Sequence, residues 1–274
     1  MGGSVNLAAP SPFHVVVEVG GVPVCLLNHD LAFSRMLEER YAGFTKPACP
    51  AEALELEVRL APPGRIIQQD GVRVSRHSGR WRFERNDFEA EWDPDLRRGW
   101  ARHSANPYSI DAILRILHTL LLAPQGGFLV HSASAVRDGR AFLFCGLSGA
   151  GKTTISRLAP PDVTLLTDEV SYVRPQGQGY WAFGTPFAGE LGSLGVNVSA
   201  PISALFLLAQ GAENRCEPVP AAEAARALLR NILFFAEDAE LARLVFQSAC
   251  EFVCRVPVHR LTFVPHPSVW ELIV

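Results

Sequence analysis

Residues 141–154 read AFLFCGLSGAGKTT, an apolar run that leads into a glycine-rich loop and the start of a helix. Ala141 to Cys145 predicts a buried strand, and Gly146 to Thr153 matches the pattern G-x-x-x-x-G-K-[ST] in full. Glycines let successive backbone N–H groups approach phosphate oxygens, and the helix that follows adds the positive end of its dipole. The stretch predicts a strand–loop–helix unit that binds a nucleotide. A glycine-rich turn without a ligand is the alternative.

Each residue type in this loop has a chemical role. Lys152 can reach the β- and γ-phosphates of a nucleotide, and the Thr153 hydroxyl can bind Mg²⁺. The chain contains only one other lysine, Lys46, so most of its 25 basic residues are arginines. We interpret Lys46, beside Pro47, as a surface loop residue. The residues that we expect to contact the nucleotide are Gly146, Leu147, Ser148, Gly149, Ala150, Gly151, Lys152, Thr153 and Thr154.

Two adjacent carboxylates follow the next apolar run. Asp168 and Glu169 stand directly after the predicted strand Val163 to Thr167, sixteen residues beyond Lys152. Ligands bind at the carboxyl ends of strands in open α/β sheets, so this pair is placed to coordinate Mg²⁺ or to abstract a proton from a hydroxyl. A solvated turn is the alternative. His131 lies on the preceding predicted strand and can project into the same site or be purely structural.

Outward from the loop, the C-terminal half alternates strands and helices, which predicts an α/β fold. We expect a helix over Lys152 to Ala159 that ends before Pro160, and helical structure over residues 221–250. The further predicted strands are Phe128 to Val136 and His259 to Val264.

The first hundred residues predict a β-rich unit with one helix, Leu31 to Tyr41. Three strands between Val72 and Trp92 are joined by short turns and predict an antiparallel meander. We interpret Trp100 to Tyr108 as turn-rich and Ser109 as the N-cap of a helix that ends near Leu122. The chain is therefore divided into a β-rich N-terminal domain, 1–108, for partner or substrate recognition, and a nucleotide-binding domain, 109–274.

The composition is that of an ordinary soluble chain, with 48% hydrophobic and 19% charged residues among 274. A net charge of −3 gives no basic excess for nucleic-acid phosphates, so we expect no nucleic-acid partner. Neither a secretory signal nor an apolar run long enough to span a bilayer is evident, which predicts a cytoplasmic protein without a membrane partner. The six cysteines are scattered without a CxxC pair and predict neither disulfides nor zinc.

Residues 128–173, FLVHSASAVRDGRAFLFCGLSGAGKTTISRLAPPDVTLLTDEVSYV, resemble the HPr kinase/phosphorylase group. They are most similar to compact HPr-kinase-related proteins that accompany bacterial peptide-modification clusters. The resemblance implies a kinase that uses ATP and Mg²⁺. It places His131 at the family's strand histidine, Asp168 at the catalytic base toward a hydroxyl, and Glu169 at the second acid, which assists Mg²⁺. It also implies a possible homo-oligomer.

Two positions depart from that family. Glu169 replaces an aspartate, which keeps the charge on a longer arm. In the segment from Glu190 to Val196, Gly192 stands where the family has an arginine linked to the reverse, phosphorylase reaction. The resemblance therefore implies a kinase without the phosphorylase half and an acceptor other than HPr, with Glu190 as a further candidate site residue. The loop is also similar to that of ATP-dependent phosphoenolpyruvate carboxykinase, whose chains are much longer.

The sequence leaves three functions open. The first is transfer of the ATP γ-phosphoryl group to a hydroxyl, expected on a serine of a peptide or small protein. The second is a nucleotide-dependent accessory module without transfer, whose partner surface would use aromatic residues of the N-terminal strands. The third is a kinase that acts on a free metabolite such as serine. The aromatic residues in question, for which core packing is the alternative, are Trp81, Phe83, Phe88 and Trp92.

Overall fold

The computed structural model describes residues 12–62, 71–189 and 195–274. They form a mixed α/β fold with two eight-stranded sheets. Glu190 and Gly192 lie outside the described residues, so the expectations placed on them stay predictions. The division of the chain at residue 108 also stays a prediction.

The first sheet is formed by β1 to β8, with strand order β3-β1-β2-β4-β8-β7-β6-β5. A single helix, α1 (Leu31–Arg40), crosses between β2 and β3, and the Asp30 side chain caps it by accepting the Phe33 N–H. The strands are β1 (Phe13–Val19), β2 (Val22–Asn28), β3 (Thr45–Lys46), β4 (Leu54–Leu60), β5 (Arg73–His77), β6 (Arg80–Arg85), β7 (Phe88–Asp93) and β8 (Arg98–His103).

The predicted meander is confirmed, since β5, β6, β7 and β8 pair in antiparallel succession. The interpretation of Trp100 to Tyr108 as turn-rich is wrong at its start, because β8 extends to His103 and pairs in parallel with β4. The predicted cap is also wrong: Asn106 caps α2 (Pro107–Leu122) by accepting the Ser109 N–H at 3.0 Å. Pro107 occupies the first turn, where its missing N–H costs nothing.

The aromatic side chains of β6 and β7 face the interior. Trp81, Phe83, Phe88 and Trp92 are all buried, with exposed fractions of 5% or less. Strand residues alternate between the two faces of a sheet, so Glu89 and Glu91 point outward while the aromatic residues between them pack. These four residues therefore do not form the exposed surface expected for an accessory module, and core packing is the correct interpretation of them.

The second sheet follows the order β10-β9-β12-β13-β14-β16-β15, with β11 paired to β9. Strand β10 also pairs in parallel with β14, and β14 in parallel with β16. Parallel neighbours place strand ends on a common edge of the sheet. The strands are β9 (Phe128–Arg137), β10 (Arg140–Cys145), β11 (Thr164–Thr167), β12 (Val170–Gln176), β13 (Gly179–Phe183), β14 (Ser199–Gln210), β15 (Arg215–Pro218) and β16 (Val258–Phe263).

The helices of this half differ from their predicted extents. The helix after the loop, α3, covers Lys152–Arg157 and is shorter than predicted. The helical pattern over 221–250 corresponds to two helices, α4 (Ala221–Leu229) and α5 (Ala239–Arg255), with a non-helical break between them. Asp238 explains the restart, because its side chain caps α5 by accepting the Leu241 N–H at 2.9 Å.

Helix α2 joins the two sheets. Its apolar residues, such as Ile113 and Leu117, share one buried cluster with Trp92 of the first sheet and Tyr172 of the second. The two sheets therefore share a core across this helix. Within the described ranges, no helix is long and apolar enough to cross a membrane.

Candidate functional site

The glycine loop leaves the end of β10, which is held between two neighbours. Strand β10 pairs with β9 on one side and with β14 on the other. The β10 side chains Phe142 and Phe144 are buried against Phe206. This packing fixes the point at which the chain leaves the sheet at Gly146.

Two glycines of the loop adopt backbone angles that other residues rarely tolerate. Gly149 has φ +81° and Gly151 has φ +107°. A Cβ at Gly151 would also approach the Phe263 ring to 2.8 Å. Gln210, at the end of β14, donates to the Gly149 carbonyl at 2.7 Å. The loop therefore adopts one specific conformation, which its contacts with Phe263 and Gln210 hold in place.

Lys152 is folded back over this loop. Its Nζ donates to the Gly146 carbonyl oxygen at 2.8 Å, and the residue is only 9% exposed. None of the described carboxylates forms an ion pair with it. The carbonyl uses one of the three ammonium donors, so two are available to a ligand in the cleft that Lys152 lines.

The carboxylates at the end of β11 are held by a tight turn. The Thr167 hydroxyl oxygen accepts the N–H groups of Glu169 and Val170, each at 3.2 Å. Asp168 is 7% exposed, and its Oδ1 accepts the Gly189 N–H at 2.9 Å. The solvated-turn alternative is therefore wrong for Asp168. A Cβ at position 189 would come within 2.9 Å of both carboxylates, so a larger residue there would displace them.

His131 lies on β9 directly opposite Val170 of β12. Its Nδ1 is 3.6 Å from Glu169 Oε1, close enough for an ion pair but too far for a hydrogen bond. Burial lowers the pKa of His131, and the positive charge of Lys152 lowers it further, against the opposing effect of Glu169. The imidazole is consequently neutral at pH 7.

These side chains meet at one cleft of about 610 Å³. Its lining includes most of the predicted site residues, although they come from β9, the loop, α3 and the end of β11. Gly146, Leu147 and Ala150 belong to the loop but do not line the cleft, and Leu147 points outward with 69% exposure. The lining residues are His131, Ser148, Gly149, Gly151, Lys152, Thr153, Thr154, Asp168, Glu169, Ala188 and Gly189.

Several residues around the cleft were not predicted from the sequence. Thr167 and Gly189 position the carboxylates, and they belong to short polar segments without a recognisable pattern. Arg115 of α2 is more distinctive. It is a lone basic residue in the buried helical run DAILRILHTLLL, and such a charge among apolar residues is a usable sequence signal.

The fold and the site define an α/β protein with a polar cleft between a glycine loop and two carboxylates. The model of the family described as SynChlorMet cassette protein ScmC matches residues 108–274, more than half of the chain. The chain therefore belongs to the ScmC family.

Comparison with solved structures gives a weaker likeness. The chain is similar to the Hpr(Ser) kinase/phosphatase from Coxiella burnetii, with 13% sequence identity and a TM-score of 0.31. That match covers 53% of this chain and 85% of the other. The comparison with curated proteins gives no match.

Proposed function

We propose that the protein is a Mg²⁺-dependent kinase that transfers the γ-phosphoryl group of ATP to a hydroxyl, on a serine of a peptide or small protein. The observation that carries this proposal is the single cleft shared by Lys152, Asp168, Glu169 and His131. The histidine, the lysine and the adjacent carboxylate pair come from three separate parts of the sequence, yet all of them line it. A phosphate loop facing a buried carboxylate is the arrangement that phosphoryl transfer requires.

The transfer itself requires little covalent chemistry from the protein. The acceptor oxygen forms a bond to the γ-phosphorus while the bond between that phosphorus and the bridging oxygen of ADP breaks. Asp168 accepts the proton of the acceptor hydroxyl. Lys152 and the loop N–H groups stabilise negative charge on the transferring group. His131 lines the cleft beside the Glu169 carboxylate.

The donor set fits Mg²⁺ bound together with a nucleotide. Among the residues the structure describes, no group of three His, Cys, Asp or Glu side chains could hold a metal by itself. Mg²⁺ commonly uses one or two protein ligands together with waters and substrate phosphates. Thr153, Asp168 and Glu169, which all line the cleft, are the residues that would hold it. When bound, Mg²⁺ neutralises phosphate charge.

The test is phosphoryl transfer from γ-labelled ATP to a library of serine peptides by the wild type and by Asp168→Asn. We expect the substitution to reduce transfer by about 10²–10⁴-fold, because the amide cannot accept the hydroxyl proton. Nucleotide affinity, measured by calorimetry, should change by no more than about threefold.

Asp162→Asn is the matched control. Asp162 is an exposed acid that pairs with Arg137 at 2.8 Å, outside the residues that line the cleft. Its substitution should leave transfer unchanged. Retained transfer in Asp168→Asn would contradict the assignment of the base, and no labelled product from the wild type at saturating ATP would contradict the proposed function.

A further inference from the structure

A second, smaller cavity adjoins the cleft. It has a volume of about 240 Å³ and lies between α2 and the first sheet. Ala188 lines both the cavity and the cleft, so the two spaces share a wall next to Gly189 and the Asp168 carboxylate. A molecule in this cavity would therefore lie beside the carboxylates of the cleft.

Three arginines line the cavity, and two of them have acidic partners. Arg40 pairs with the buried Asp111 at 2.5 Å. Arg85 pairs with Asp87 at 2.5 Å. Each of these guanidinium groups is thus compensated by a carboxylate within the protein.

Arg115 is the third arginine. No described carboxylate forms an ion pair with it, although the carboxylates of Asp111 and Glu169 are close enough to act on its charge. Its guanidinium lies over the Phe187 ring, 4.9 Å from the centroid, and its Nε is buried without a hydrogen-bond partner. Burial lowers the pKa of Arg115, although an arginine stays charged at neutral pH. A largely buried guanidinium is costly when its Nε lacks a hydrogen bond and it forms no ion pair with a described carboxylate, so a partner from outside the chain is the expected explanation.

The walls of the cavity indicate the kind of anion that fits. Val72, Ile116 and Phe235 provide apolar surface for a hydrocarbon stem. Since Arg40 and Arg85 have acidic partners of their own, one negative charge from a ligand balances the remaining guanidinium. A single guanidinium fork matches one carboxylate with two parallel N–H bonds.

We propose that this cavity is the acceptor subsite and that Arg115 binds a carboxylate of the acceptor while its hydroxyl reaches Asp168. The inference rests on the proposed function, because it assigns the acceptor of the same transfer. The carboxylate can belong to an acidic side chain near the serine or to the C-terminus of a peptide. Both sources present the same group to Arg115.

The probes are serine heptapeptides with one glutamate at each other position in turn, each paired with the glutamine peptide. Every peptide is made as the C-terminal acid and as the amide, which separates the two sources. Binding is measured by calorimetry with a non-hydrolysable ATP analogue, and transfer is measured with γ-labelled ATP. We expect a preference of about tenfold or more for one carboxylate form in the wild type.

Arg115→Met should abolish that preference. Arg174→Met is the matched control, because Arg174 stacks on Phe183 at 4.8 Å but is not among the residues lining either space. It should keep the full preference. Arg115→Met should also melt at a temperature no lower than the wild type, since it removes a largely buried guanidinium that has no ion pair with a described carboxylate. A purely structural arginine would instead give a lower melting temperature.

The outcomes separate the two proposals. Transfer without discrimination between carboxylate and amide, or a preference that survives Arg115→Met, would overturn the acceptor subsite alone. Selective binding of carboxylate peptides without transfer would overturn the proposed kinase and leave the subsite standing. Absence of selective binding in the wild type would overturn the subsite whatever the transfer result.

Discussion

The two halves of the molecule each contain one of the two lysines of the chain, in opposite environments. Lys46 is at the edge of the first sheet, in β3, where its side chain is 43% exposed and its Nζ lies 3.1 Å from Glu18. Lys152 follows the glycine loop of the second half, where it is 9% exposed and bonds to the Gly146 carbonyl. The first lysine has an acidic partner, whereas the second faces an open cleft.

The difference shows how charge is used in the two halves. Exposed ion pairs contribute about 0–1 kcal/mol each, so those on the first sheet keep its surface polar without fixing its fold. A buried ammonium without an acidic partner costs stability, which is the expected signature of a site that binds an anion. The other exposed pairs of the first sheet include Arg59–Glu57, Arg80–Glu91, Arg82–Glu84, Arg98–Glu55 and Arg102–Glu89.

Exchanging each lysine for alanine gives the largest expected contrast. Lys152→Ala should reduce phosphoryl transfer by about 10²–10³-fold, because the transferring group loses one preorganised cation. Lys46→Ala should leave transfer unchanged and alter the free energy of unfolding by less than about 1 kcal/mol. Labelled-ATP assays and urea unfolding measure the two effects. Equal phosphoryl transfer by the two variants would show that Lys152 has no special role in transfer.

A smaller effect is expected at His118, a buried titratable residue that does not line the cleft. His118 of α2 is fully buried against Tyr172, and neither ring nitrogen has a hydrogen-bond partner. Burial lowers the pKa of His118 to about 4. An unfolded histidine titrates near 6.5, so the unfolded chain binds the extra proton between these two values. The contribution of His118 to the free energy of unfolding is therefore fully present above pH 6.5 and is lost as the pH falls toward 4.

We expect that loss to amount to about 3 kcal/mol, measured as the free energy of unfolding in urea at several pH values. His118→Leu should flatten this part of the pH profile, because the substituted side chain cannot be protonated. Nucleotide affinity should be the same in both proteins, since His118 is not among the residues lining the cleft. An unchanged pH profile in His118→Leu would show that other groups control acid stability.

The sequence predicted those parts of the molecule that depend on local patterns. The loop between Gly146 and Thr153 has its conformation encoded by its own glycines, and the turns of the meander carry local signals. Strand β8 was missed because its residues have mixed burial and because its parallel partner, β4, lies far away in the chain. Its antiparallel pairing with β7 is local, but its parallel pairing with β4 depends on a contact that no short window contains.

The same distinction applies to the site. Asp168 and His131 were predicted because a strand precedes the acids and contains the histidine. Arg115 could not be assigned a role, since a helical pattern does not show whether a buried position faces core or cavity. The packing on Phe187 and the adjoining cavity show that the Arg115 guanidinium lines a cavity, where no described carboxylate forms an ion pair with it.

The proposed function requires that the cleft beside Lys152 binds a nucleoside triphosphate. Calorimetric titration of ATP into the wild-type protein, with and without Mg²⁺, tests it most directly. We predict a saturable one-to-one isotherm that is tighter with Mg²⁺ and is lost or strongly weakened in Lys152→Ala. Absence of saturable binding in the wild type, or equal affinity in the wild type and Lys152→Ala, would contradict the claim.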